Sequence, residues 1–152
     1  MMNEIRGTLI LADNVYRTEN GKWIISGTYS YWQTTQDVLV IPMLATYVRL
    51  QFERFGVYRC RVAVTDKMAP PHQPPVINTQ FDVTINEATP RMFEAGLQLP
   101  EIRQRGPIPL ADRLPGSATK MSLLISLSCN DHDIASNDLD LVFCGPPLPA
   151  TT

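Results

Sequence analysis

The chain is poor in charge, in histidine, in cysteine and in long apolar runs, and each shortage removes a class of protein. Charged residues make up 18% of its 152 residues and the net charge is −2, whereas soluble domains average about 25% charged. No basic patch is present to neutralise phosphates, so no nucleic acid is expected as a partner. There are two histidines, His72 and His132, which leaves little for general acid–base chemistry. The eight glycines form neither a phosphate-cradling loop nor a Gly-x-Ser-x-Gly elbow. No apolar stretch approaches the ~20 residues of a membrane helix. The first residues, Met1 to Gly7, lack a basic segment followed by an apolar core, so the expected location is cytoplasmic, with no membrane partner. Three cysteines cannot all pair within one chain, and Cys60 and Cys129 read as reduced thiols on apolar strand faces.

What is plentiful is proline, thirteen in all, together with hydrophobic residues that recur at every second position. Val48, Leu50 and Phe52 alternate with Arg49, Gln51 and Glu53; Cys60, Val62 and Val64 with Arg61 and Ala63; Phe81, Val83 and Ile85 with Asp82 and Thr84. Met121, Leu123, Ile125, Leu127 and Cys129 line a further face. Period two puts one face on a core and the other toward water, which is a strand and not a helix. Asn20-Gly21 predicts a type I′ hairpin turn between Leu9–Thr18 and Trp23–Tyr31, with Glu19 opposite Lys22. Arg54-Phe55-Gly56 predicts a second hairpin, between Met43–Glu53 and Val57–Asp66. The prolines at 70–75 predict an exposed loop, and those at 100, 107, 109 and 115 break the following region into short extended pieces. Ala111 to Leu114 has room for one helical turn. The expected fold is all-β, an antiparallel β-sandwich of the immunoglobulin or C2 kind with about eight strands. One domain is expected over residues 1–144, followed by a proline-rich tail at 145–152.

The stretch from Leu9 to Ser30 carries an apolar run, an acidic residue at Asp13 and a Val15-x-Arg17 segment. Asn20-Gly21-Lys22 and Ile25-x-Gly27-x-Tyr29 follow, and Pro42-Met43-Leu44 leads into the next strand. Over roughly residues 9–50 this resembles a family of small bacterial β-sandwich proteins known only as a domain of unknown function. The resemblance implies an intracellular protein of bacterial or phage origin, and it supplies no catalytic residues.

Candidate sites are few. Cys129, His132 and Cys144 offer three soft ligands where a structural zinc site takes four, usually as two close pairs, so no such site is expected. Asp131, Asp133, Asp138 and Asp140 read as a polar loop between strands, with calcium ligation by their carboxylates as the alternative. Trp23, Tyr29, Tyr31 and Trp32 read as lying on one strand, the first three on one face and Trp32 on the other. One set belongs to the core, and Tyr29, Tyr31 and Trp32 are the candidate interface residues. The leading functional reading is a non-catalytic protein-binding or assembly module without cofactor, its partner another protein or a second copy. A sandwich that binds calcium or a carbohydrate is the alternative, and a hydrolytic enzyme comes third.

Overall fold

The computed structural model describes residues 5–28 and 31–150, and over them the chain is all-β. Its strands are β1 (Ile5–Arg17), β2 (Trp23–Thr28), β3 (Tyr31–Thr34), β4 (Val38–Ile41), β5 (Leu44–Phe52), β6 (Gly56–Asp66), β7 (Ile77–Ile85), β8 (Met92–Leu99), β9 (Ile102–Arg105), β10 (Ala118–Cys129) and β11 (His132–Cys144). Leu110–Asp112 makes a single 3₁₀ turn. One sheet has the order β2-β1-β5-β8, a second β3-β11-β10-β6-β7, and β4 pairs with β9 in a short ribbon. Pairing is antiparallel except where β3 runs parallel to β11. Among the described residues, no helix is long and apolar enough to cross a membrane.

The alternating pattern places its residues as expected. Cys60, Val62 and Val64 of β6 lie opposite Cys129, Leu127 and Ile125 of β10. These residues and Val48, Leu50 and Phe52 of β5 are all buried, and with Leu9, Leu11, Leu139, Leu141 and Phe143 they form one continuous core. Each such side chain contributes about 1.5–3 kcal/mol of burial. A one-residue slip in register would turn a whole set to water, which is why the pattern specifies pairing so firmly.

Three local expectations are corrected. Among the described residues the strand count is eleven and not about eight, because Trp23 to Tyr31 is divided between two sheets and short strands at 38–41 and 102–105 add to those that alternation marks. Leu44 pairs with Leu99 and Ile41 with Ile102, so β4–β9 continues the register of β5–β8. Pro42 and Pro100, which lack an N–H, sit at the two breaks. The segments either side of 54–56 are not a hairpin. β5 is flanked by β1 and β8, β6 by β10 and β7, and the chain crosses between sheets there, held by Tyr58 Oη donating to the Arg54 carbonyl at 2.8 Å. The first turn spans three residues, Glu19-Asn20-Gly21, closed by Gly21 N–H donating to Thr18 O at 2.9 Å. Only Gly21 is left-handed there, at φ +84°, and Thr18, not Glu19, faces Lys22 through Thr18 N–H to Lys22 O at 2.8 Å. The two-residue turn with both centres left-handed occurs instead at Asn130 (φ 48°) and Asp131 (φ 65°). The proline-rich tail starts from a hydrogen-bonded base: Gly145 N–H donates to Ser117 O at 2.9 Å and Gly116 N–H to Pro146 O at 2.8 Å.

Candidate functional site

Trp23 to Tyr31 does not run as one strand. β2 ends at Thr28, paired with β1, and Tyr31 opens β3 in the other sheet. Alternation reports which face a residue takes and says nothing of which sheet it joins. Tyr29 lies outside the described residues. Tyr31 stands 59% exposed, opposite Asp140. Trp32 is half-buried against the core. Among the described residues β3 pairs with β11 on one side and is the outermost strand of its sheet on the other.

Of the four acidic residues only Asp131 lies in a loop. The loop is the two-residue turn at 130–131, and β11 begins at His132. Asp133, Asp138 and Asp140 are spread along this extended strand, so Asp131 and Asp138 stand on the order of 20 Å apart at ~3.3 Å per residue. They do not converge on one ion. Asp138 meets Lys67 Nζ at 3.2 Å and Asp140 meets Lys120 Nζ at 3.6 Å. The hydroxyl of Ser122 donates to Asp140 at 2.6 Å, and that bond, ahead of the nearby lysine charges, holds the Asp140 carboxyl below its ordinary value. Cys129, His132 and Cys144 are likewise kept apart, since His132 and Cys144 are the two ends of β11. Among the described residues, no group of three His, Cys, Asp or Glu could hold a metal ion.

A polar–aromatic cluster that spacing did not reveal lies on the four-stranded sheet, where the β1–β2 arm meets β5 and β8. Trp23 packs on Tyr47 with ring centroids 5.9 Å apart, and the Arg17 guanidinium lies 6.0 Å from the Trp23 ring. Tyr47 is buried and donates its phenol proton to Glu94 Oε2. Burial, then the bond to Glu94 and its charge, push the Tyr47 pKa up to about 12, against an opposing pull from Arg49. Tyr47 is therefore a held donor at neutral pH and not a base or nucleophile. Gly96 makes the arrangement possible, because a Cβ there would lie 2.8 Å from Val15 Cγ1 and 3.3 Å from Trp23. Arg17 and Trp23 are cross-strand partners next to the turn, a pairing legible once the turn is placed. Tyr47 and Glu94 come from strands far apart in sequence, and no local signal joins them.

A buried cation serves the architecture. Arg113, 5% exposed, donates Nε to Ile108 O at 3.0 Å and Nη1 to Cys144 O at 3.1 Å. Its guanidinium lies 5.4 Å from the Phe143 ring centroid. It pins the segment after β9 to the end of β11.

No curated protein and no solved structure matches the chain. A family model does, over residues 7–103. That span holds the four-stranded sheet except Ile5 and Arg6 at the start of β1, the Arg17–Trp23–Tyr47–Glu94 cluster, β6 and β7, and stops before β10 and β11. By that match the chain belongs to a family of unknown function, DUF6941.

Proposed function

We propose that this chain is a β-sandwich binding module that carries no reaction of its own and takes an extended segment of a protein partner onto the outer edge of β3. One continuous core drawn from both larger sheets supports the sandwich reading, with residues 1–144 as its single domain. The observation that carries the binding reading is the edge itself. Natural edge strands are guarded by charge, proline, bulges or short length. β7 carries Asp82, β8 carries Glu94, and β9 carries Arg103 and Arg105. β2, β3 and β4 carry neither charge nor proline, and among these β3, four residues long, is the one that presents an exposed large side chain, Tyr31. An extended peptide added there would gain main-chain hydrogen bonds from the strand and apolar contact from Tyr31.

Selection of a random peptide library on the immobilised chain tests this reading. Binders are expected to be extended, apolar-rich segments whose affinity falls at least about tenfold with Tyr31→Lys, which places a guarding charge on the edge. Binders indifferent to Tyr31→Lys, or no enrichment, would contradict it. Light scattering on the purified chain covers the second-copy form of the same idea, in which a dimer dissociates on the same substitution.

A further inference from the structure

We propose that Cys60 and Cys129 form a reversible cross-strand disulfide, making the middle of the five-stranded sheet an oxidation site. The two residues are directly opposite each other on β6 and β10, with their Sγ atoms 2.9 Å apart. Their place in the ladder follows from the neighbouring pair. Asn130 N–H donates to Arg59 O at 2.8 Å, and Arg59 N–H donates to Asn130 Oδ1 at 3.0 Å. Arg59 and Asn130 therefore occupy a hydrogen-bonded position, with the Asn130 side chain standing in for its carbonyl. The adjacent pair, Cys60 and Cys129, is then non-hydrogen-bonded, where Cα atoms stand about 4.5 Å apart and side chains come closest. A disulfide spans Cα separations of about 4.4–6.8 Å, so the backbone already stands where the bond needs it. β6 and β10 are interior strands held on their other sides by β7 and β11, and they hold this geometry in place.

The chemistry divides between the two sulfurs. Their mutual hydrogen bond pulls the Cys129 thiol down and, with burial, pushes the Cys60 thiol up. Cys129, at the end of β10 beside the turn and its groove, is the sulfur an oxidant meets first, which makes it the attacking thiol and Cys60 the resolving one. With hydrogen peroxide as oxidant, the Cys129 sulfur attacks one peroxide oxygen, an S–O bond forms, the O–O bond breaks and hydroxide leaves. The Cys60 sulfur then attacks the sulfenic sulfur, the S–S bond forms, the S–O bond breaks, and the departing oxygen leaves as water. Two thiols and one peroxide give one disulfide and two waters, the sulfurs losing two electrons and the peroxide gaining them. Both thiols are fully buried, so the oxidant must be small and the site must open. The opening is close at hand. Cys129 is the last residue of β10, next to the 130–131 turn. Beside it an open groove of about 370 Å³ is lined by Val57, Arg59, Asp82, Asn130 and Asp131.

The experiment treats the folded full chain with hydrogen peroxide, blocks remaining thiols, and maps peptides by mass spectrometry. The expected product is a cross-linked pair of peptides carrying Cys60 and Cys129, lighter by about 2 Da for the two hydrogens lost, with Cys144 unlinked and the bond reversed by dithiothreitol. Because the link joins residues 69 apart, the oxidised protein is expected to melt about 10 °C higher than the reduced one. A Cys144→Ser variant, which leaves the core pair untouched, is expected to oxidise identically. Three results would each overturn the proposal: linkage of Cys144 instead, sulfinic acids without a link, or a link that forms only in denaturant. The readout needs no substitution at either buried cysteine.

Discussion

Tyr47 supplies a prediction whose size follows from its surroundings. The phenol is 7% exposed, donates to Glu94, and has its pKa raised from 10.0 to about 12. Below the unfolded value both folded and unfolded chains keep the proton, and the full stabilisation is present. Between pH 10 and 12 the unfolded chain loses the proton while the folded chain holds it, so stability falls as pH rises through that window. One pKa unit corresponds to about 1.4 kcal/mol, so near pH 11 the wild-type chain should have lost about 1.4 kcal/mol through this one group. Tyr47→Phe removes the titration and also the bond to a half-buried carboxylate, a cost of about 1 kcal/mol at neutral pH. The two effects oppose each other. The Phe variant should be the less stable protein near pH 8 and should draw level with wild type, or pass it, near pH 11. Urea unfolding of both proteins across that range, followed by circular dichroism, measures the difference directly, since all other titrating groups are shared. Glu94→Gln should flatten the slope only in part, because burial is the larger cause. Parallel pH profiles for wild type and Tyr47→Phe would refute the account of this cluster.

Two further predictions follow from the same geometry. Gly96→Val puts carbon where Val15 and Trp23 already pack, so it should cost about 1–3 kcal/mol and lift the β1–β2 arm. In a Trp32→Phe background, acrylamide should quench Trp23 more efficiently in the valine variant, and unchanged quenching would contradict the packing. Asp131 holds φ 65° in the two-residue turn, so Asp131→Gly should stabilise the β10–β11 hairpin by about 0.5–1 kcal/mol. A lower melting temperature in that variant would count against the turn assignment.

Faces were legible in the sequence and partners were not. The burial of Val62, Leu127 and Cys129 follows from alternation alone, because period two has one physical solution when one side of a strand is wet. The same alternation continues across Thr28 to Tyr31 and either side of 54–56, where the chain changes sheets. A periodic pattern records neither event. Proline read correctly as punctuation at 70–75, between β6 and β7, yet Pro42 and Pro100 divide strands whose register continues past them. The acidic residues from 131 to 140 looked like a loop because charge is uncommon in strands. Their alternate partners, Leu139 and Leu141, are fully buried on β11, and that half of the pattern carried the strand. The candidate site was legible only in Tyr31 and Trp32, neighbours on one strand. The Tyr47–Glu94 bond and the Cys60–Cys129 pairing depend on strand order, which is set by core packing over the whole chain.

The central claim is that β3 is a docking edge, and hydrogen–deuterium exchange on the chain bound to a selected peptide tests it most directly. Binding is expected to slow exchange in the segment 31–34 selectively, with the β7, β2 and β8 edges unchanged, and Tyr31→Lys is expected to abolish the effect. Protection appearing on another edge, with 31–34 exchanging as in the free chain, would contradict the account.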